Sequence, residues 1–219
     1  MKKTIFILIA ILIASFSFAQ MSEKFTKAME TNIVRIDSAK TVQDWVDITA
    51  AFERIAEAEK NQWLPYYYVA LGNVMSGTMS VGDMFGNNTD KTDPKADAAE
   101  KALNKAISLS KETSETWIIK KMIISLRMLG DVMSRAMSAM PEGAAALDNA
   151  KKLDANNPRI YILEGQDKYF TPEQYGGSKD EAKVLFEKAQ KLFETFKPDT
   201  SIHPNWGKGT VAYFLSLYK

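Results

Sequence analysis

Apolar residues recur at intervals of three and four along almost the whole chain, which is the spacing of one face of an α-helix. The alternation of apolar and polar residues that marks a half-buried strand is nearly absent. The chain is therefore predicted to be all-α. Helices are expected near residues 21–38, 42–59, 64–82, 94–110, 114–138, 142–153, 158–169, 178–195 and 204–217.

Local signals place several helix starts and one long loop. Ser178 suits an N-cap, and residues 82–93 form a polar stretch that buries little and is expected to be mobile. A proline suits a first helical turn because its missing N–H costs no hydrogen bond there. Prolines at expected helix starts are Pro65, Pro94, Pro158 and Pro204.

One pattern recurs in the second helix of each expected helical pair. A small residue is followed four positions later by a large one, and three positions after that by another small one. Small residues let two helices approach while the large one fills the gap between them. The triplets are Ala51, Ile55, Ala58; Ala99, Leu103, Ala106; Gly143, Leu147, Ala150; and Ala182, Phe186, Ala189. The next helix carries an aromatic residue after each of the first three, with a glycine four positions later at Gly72 and Gly165 but Lys121 in the middle case.

The stretch AKKLDANNPRIYILEG, residues 150–165, resembles a junction between tetratricopeptide repeats. The resemblance implies a right-handed solenoid of antiparallel helical hairpins, with about four units and a C-terminal capping helix. The triplets lie 48, 44 and 39 residues apart, so the units are longer than a plain repeat. Residues 172–190, followed by HPNWG, resemble exported bacterial repeat proteins, some of them similar to the periplasmic component of tripartite solute transporters.

In tetratricopeptide arrays the first helix of each hairpin lines a concave groove, and the resemblance carries this role onto three stripes here. Because most of these residues are apolar, amide or hydroxyl side chains, the groove would suit a peptide, a helix or an uncharged small ligand. The alternative is that the insertions close the groove and make these residues core. The stripes are Tyr66, Val69, Asn73, Ser76; Glu115, Ile118, Met122, Ser125; and Arg159, Ile162, Gln166, Tyr169.

The first nineteen residues have the form of a signal peptide. Lys2 and Lys3 precede an apolar run of about 14 residues, shorter than the roughly 20 needed to span a bilayer. Cleavage is expected between Ala19 and Gln20, which leaves a single helical repeat domain over residues 20–219. Since the chain contains no cysteine, no lipid anchor is expected after the cut, and the mature protein is predicted to be periplasmic or secreted.

The residues that usually carry catalysis or metal chemistry are scarce. His203 is the only histidine and cysteine is absent, so we expect no enzyme activity, no metal site and no cofactor. The 28 basic and 27 acidic residues are nearly balanced and unclustered, which predicts no nucleic-acid partner. Met133, Met137 and Met140 share a helical face that could bind copper(I), but core packing is the favoured interpretation.

Asp37, Ser38 and Ala39 match a three-residue sequence in which Asp is followed by Ser or Thr and then by a small or apolar residue. This sequence is recognised by an O-glycosylation system found in some Gram-negative bacteria. A match of three residues also occurs by chance, so both interpretations stay open.

Two functions follow from these features. The first is an exported, non-enzymatic scaffold that binds a protein or peptide of the cell envelope in the concave groove. The second is a soluble accessory component of a solute transport system that encloses a small molecule.

Overall fold

The structure is a computed structural model that describes residues 22–218, so the predicted signal peptide and its cleavage position lie outside the described residues. Within residues 22–218 the chain forms α-helices, a short 3-10 turn at Glu173–Tyr175 and no strand. The helices are α1 (Glu23–Ile36), α2 (Val42–Ala58), α3 (Trp63–Met79), α4 (Thr89–Leu109), α5 (Ser114–Gly130), α6 (Val132–Leu153), α7 (Pro158–Phe170), α8 (Lys179–Thr195) and α9 (Lys208–Ser216). None of these helices combines the length and the apolar character needed to cross a bilayer.

Side-chain caps start several helices where the sequence predicts them. Thr41 and Thr113 each form a reciprocal capping box with the residue three positions later. Asn157 caps α7 with Pro158 as its first residue, and the Ser178 hydroxyl accepts a hydrogen bond from the Glu181 N–H. These caps confirm the predicted starts of α7 and α8.

Several predicted boundaries are wrong. The helix expected over residues 114–138 ends at Gly130, because Asp131 leaves the helical conformation and caps α6 by accepting from the Ser134 N–H. Two prolines expected in first helical turns are not there, since Pro94 lies inside α4 and Pro204 precedes α9, which begins at Lys208.

The polar loop expected over residues 82–93 is shorter than predicted, since α4 already begins at Thr89. Asn88 is buried at the end of this loop, and its side-chain amide donates to the carbonyl groups of Asp83 and Gly86. The Asn88 backbone N–H donates to the Gly130 carbonyl at 2.7 Å. The loop is thus tied to the junction between α5 and α6.

The helices pack chiefly against their neighbours in the chain, except that α6 and α7 contact each other little, and α3 also contacts α5. The three later triplets are buried as predicted, whereas Ala58 of the first is exposed. Gly165 permits a close approach, because a Cβ atom there would lie 2.6 Å from the Phe186 ring. This order of packing suits stacked hairpins, while the handedness of the stack and the repeat family stay predictions.

Lys121, which stands where the other units carry glycine, is buried with its ammonium group bonded to Ser125 and Asp167. Room for its long side chain comes from Gly143 on α6, where a Cβ atom would lie 3.0 Å from the Lys121 Cδ. In this unit the glycine that makes room therefore lies on the facing helix, α6, and not on α5.

Candidate functional site

The residues predicted to line the concave groove lie mainly inside the protein. Tyr66, Glu115, Ser125, Gln166 and Tyr169 are partly exposed. The other seven are buried: Val69, Asn73, Ser76, Ile118, Met122, Arg159 and Ile162. An external partner cannot reach these seven side chains in this conformation, which favours the alternative that they are core residues.

The C-terminal segment, residues 197–207, explains the closure. Ile202 is fully buried in the main core, and its carbonyl accepts a hydrogen bond from the Tyr68 hydroxyl at 3.0 Å. The Trp206 indole N–H donates to the Tyr67 hydroxyl at 2.9 Å. The protein's own chain thus occupies the space that the resemblance assigned to a ligand.

An ion pair between Arg159 and Glu115 lies beside this segment and anchors it. The Arg159 guanidinium is fully buried and donates to both Glu115 carboxylate oxygens, with distances from 2.5 to 3.1 Å. It also donates to the carbonyl groups of Pro204 and Trp206. Burial, reinforced by the Glu115 charge, raises the pKa of Tyr67 well above its usual value, so its hydroxyl stays protonated and donates to Glu115. Tyr67 and Arg159 are buried with their polar groups hydrogen-bonded, whereas Glu115 is partly exposed.

An open cleft of about 490 Å³ lies elsewhere, between α4, α5 and α6. It exists because α6 packs closely only through its second half, where Gly143, Ala146, Leu147 and Ala150 are buried. Residues 132–142 bury no side chain, and Arg135 is the residue of this half that is bonded to α4 and α5. The volume falls within the range of about 300–1,000 Å³ that is usual for small-molecule sites.

The floor and walls of this cleft are mostly apolar, with the buried Thr116 as a polar exception, and its rim is charged. Floor and wall residues are Leu103, Ile107, Trp117, Ile123, Ile124 and Met128. Basic rim residues are Lys120, Arg127 and Arg135, and acidic ones are Asp93, Glu100, Glu112 and Glu142. The arrangement suits a flat, largely apolar ligand that keeps a charged edge toward water.

The two arginines of the rim are already paired with carboxylates. Arg135 binds both Asp93 carboxylate oxygens, at 2.6 and 2.9 Å, and the hydrogen bonds from Arg135 lower the pKa of Asp93. Arg127 contacts Asp97 and Glu100 at 2.8 Å each. These pairs fasten α4 to α5 and α6 and set the width of the cleft.

Lys120 differs from both arginines. Over residues 22–218 it takes part in no ion pair, and its ammonium nitrogen lies 4.9 Å from the centre of the Trp117 ring. A cation above an indole face and beside apolar walls can receive a carboxylate without breaking an existing ion pair. Lys120 is therefore the group best placed to bind an anionic ligand edge. Sequence reasoning missed it because a lone exposed lysine carries no pattern.

The interpretation of the α6 methionines as core is wrong. The exposed fractions of Met133 and Met137 are 77% and 90%, and Met140 is also exposed. The spacing correctly placed the three on one helical face, but none of the helices of residues 22–218 covers that face. Met128, by contrast, lines the cleft.

His203 lies in the C-terminal segment and outside the cleft. Its Nδ1 atom is 2.8 Å from the Thr200 hydroxyl, and its ring packs edge-on against Trp63. Burial lowers its pKa, so the ring is neutral at pH 7. Within residues 22–218 no group of three or more His, Cys, Asp or Glu side chains is arranged to hold a metal ion.

Comparison with solved structures finds a match to the HusA haemophore from Porphyromonas gingivalis. The two chains share 28% sequence identity with a TM-score of 0.75, over 92% of this chain and 96% of that one. No family model matches the chain, and no match is found among curated proteins, so the tetratricopeptide resemblance stays a prediction. The chain is an all-α protein over its described residues, similar in fold and in sequence to a haemophore.

Proposed function

We propose that this protein is an exported, non-enzymatic carrier of haem or a related porphyrin, which it binds in the cleft between α4, α5 and α6. The observation that carries the proposal is the combination, in one open cleft, of apolar walls, the Trp117 ring and the unpaired Lys120. The similarity to a haemophore over nearly the whole chain supports the same ligand class.

The chemistry of a porphyrin suits this cleft. Its macrocycle is flat and apolar, which matches Leu103, Ile107 and Ile124, and a planar aromatic ring favours stacking on Trp117. The propionate groups lie on one edge of the macrocycle and need a cation and water. Lys120 supplies the cation at the rim, since Arg127 and Arg135 are already paired with carboxylates.

The two functions suggested by the sequence are not equally supported. A protein or peptide in the concave groove would have to displace Ile202 and Trp206 from the core, at a large cost in buried apolar area. A small ligand in an open cleft needs no such rearrangement. The porphyrin proposal is thus a specific form of the small-molecule hypothesis, at a site other than the predicted groove.

The charge at the rim offers a direct test. We expect Lys120→Glu to weaken haem binding by about tenfold or more, because it replaces the attraction of a propionate with repulsion. Lys101→Glu is the matched control, since Lys101 is exposed on α4 and does not line the cleft. The measurement is the absorbance change of haem on titration with each purified protein. Equal affinities of the two variants would contradict the site, and no binding by the unmodified protein would contradict the function.

Removing the iron is a second test. The usual haem ligands are His, Cys, Met and Tyr, and of these the cleft lining contains only Met128. Because a thioether is a weak ligand for ferric iron, burial of the ring should dominate the affinity. We expect metal-free protoporphyrin to bind within about tenfold of haem, as measured by quenching of tryptophan fluorescence, and Met128→Leu to change neither affinity. A loss of several orders of magnitude without iron would show that a strong iron ligand from elsewhere enters the site.

A further inference from the structure

We propose that Ser38 is an O-glycosylation site and that the exported protein carries a glycan on the turn between α1 and α2. The proposal rests on the export expected from the leader and is independent of haem binding. Two aspartates of the chain, Asp37 and Asp199, are followed by serine or threonine, and the surroundings of the two hydroxyl groups differ.

The Ser38 hydroxyl is open to solvent. Asp37 and Ser38 are both exposed on the five-residue turn, residues 37–41, and Asp37 makes none of the ion pairs found in the described part of the chain. The Ser38 Oγ donates a hydrogen bond to the Arg35 carbonyl at 3.0 Å and accepts none from a described residue, so its lone pairs face water. An enzyme can therefore approach both the nucleophilic oxygen and the neighbouring carboxylate.

The turn already has a defined conformation before any enzyme binds. The backbone N–H groups of Ser38 and Ala39 donate to the carbonyl groups of Arg35 and Ile36, which close the end of α1. The Lys40 N–H donates to Asp44, and the Thr41 capping box starts α2. Ala39 packs partly against the core and so holds the turn in place while Asp37 and Ser38 project outward.

The second sequence, at Asp199, lacks these features. The Thr200 hydroxyl is 2.8 Å from the His203 Nδ1 and accepts a hydrogen bond from the Ile202 N–H. Its third residue, Ser201, is small and also fits the sequence, so the two sites differ in the state of the hydroxyl and not in the pattern. Thr200 is only partly exposed and lies in the segment of residues 197–207 that is hydrogen-bonded to α3 and α7. It therefore serves as an internal comparison.

The reaction is a group transfer without a change of oxidation state. The Ser38 Oγ attacks the anomeric carbon of a glycan carried on a polyprenyl diphosphate. The bond between Oγ and that carbon forms as the bond between the carbon and the phosphate oxygen breaks. The hydroxyl proton passes to a base of the transferase, and the polyprenyl diphosphate leaves with the bonding electron pair.

The position predicts that the modification leaves ligand binding unchanged. The turn joins α1 to α2, whereas the residues that line the cleft belong to α4, α5, α6 and the loop between α4 and α5. A glycan on Ser38 would extend into solvent from the first hairpin. It would shield the exposed turn and the adjoining end of α1 from proteases.

The test is the intact mass of the protein purified from the bacterium that makes it, with Ser38→Ala, Ser38→Thr, Asp37→Asn and Thr200→Ala expressed in the same cells. We expect a mass above that of the polypeptide by whole sugar residues, lost in Ser38→Ala and Asp37→Asn and kept in Ser38→Thr and Thr200→Ala. Fragmentation of the glycopeptide should place the sugar on Ser38. A native mass equal to that of the polypeptide, or an excess that persists in Ser38→Ala, would overturn the proposal. Circular dichroism of each variant confirms that a lost glycan does not reflect a lost fold.

Discussion

Replacing Arg159 with alanine is expected to lower the free energy of unfolding by about 3–5 kcal/mol, because it leaves the Glu115 carboxylate without its cation. The guanidinium is fully buried and bonded to Glu115 and to the carbonyl groups of Pro204 and Trp206. Its removal therefore takes one donor from each of the two carbonyl groups and leaves Glu115 with the hydrogen bonds from Tyr67 and Asn157 alone. Urea denaturation, followed by circular dichroism, measures the change.

The matched control is Arg127→Ala, which breaks ion pairs of similar length to Asp97 and Glu100. Those pairs are largely exposed to water, so the expected loss is about 1 kcal/mol or less. Similar losses in the two variants would mean that burial does not set the strength of the Arg159 pair.

A double variant distinguishes the effect of the unpaired Glu115 charge on stability from the effect of the lost packing. If the Glu115 carboxylate causes most of the destabilisation in Arg159→Met, then adding Glu115→Gln should recover part of it, because a neutral amide costs less to bury than a carboxylate. The same Glu115→Gln change in the unmodified protein should destabilise, since it removes the charge that Arg159 requires. Additive losses in the double variant would contradict this account.

The all-α class and most of the helix starts were predictable because their signals are local. Caps such as Asn157 and Ser178, and triplets such as Ala182, Phe186 and Ala189, specify helix starts and close contacts from a few neighbouring residues. The same periodicity failed for Met133, Met137 and Met140. It reports which side chains share a face, but not whether another helix covers that face.

The candidate site was not predictable for a related reason. The cleft forms where the close packing of α6 against its neighbours ends. The spacing of apolar residues in the sequence does not show where such packing ends. The closure of the concave groove depends on hydrogen bonds between residues more than 130 positions apart, such as Tyr68 with Ile202 and Tyr67 with Trp206. The resemblance to tetratricopeptide repeats assigned the groove to a partner because it describes the repeats and not the segment that follows them.

The role of that segment is tested by Ile202→Ala, for which we expect a loss of about 2–5 kcal/mol in the free energy of unfolding. Ile202 is fully buried, so truncating its side chain leaves a cavity against α3 instead of a more open surface. Leu217→Ala is the control near the same end of the chain, because Leu217 is 46% exposed and its loss should cost little.

A loss close to that of the control would mean that residues 197–207 are a peripheral flap and that the groove opens readily in solution. A large loss of unfolding free energy with unchanged haem affinity would show that the concave side and the cleft act independently. The concave side is then part of the core that the C-terminal segment completes, and the cleft between α4, α5 and α6 is left as the surface available to a ligand.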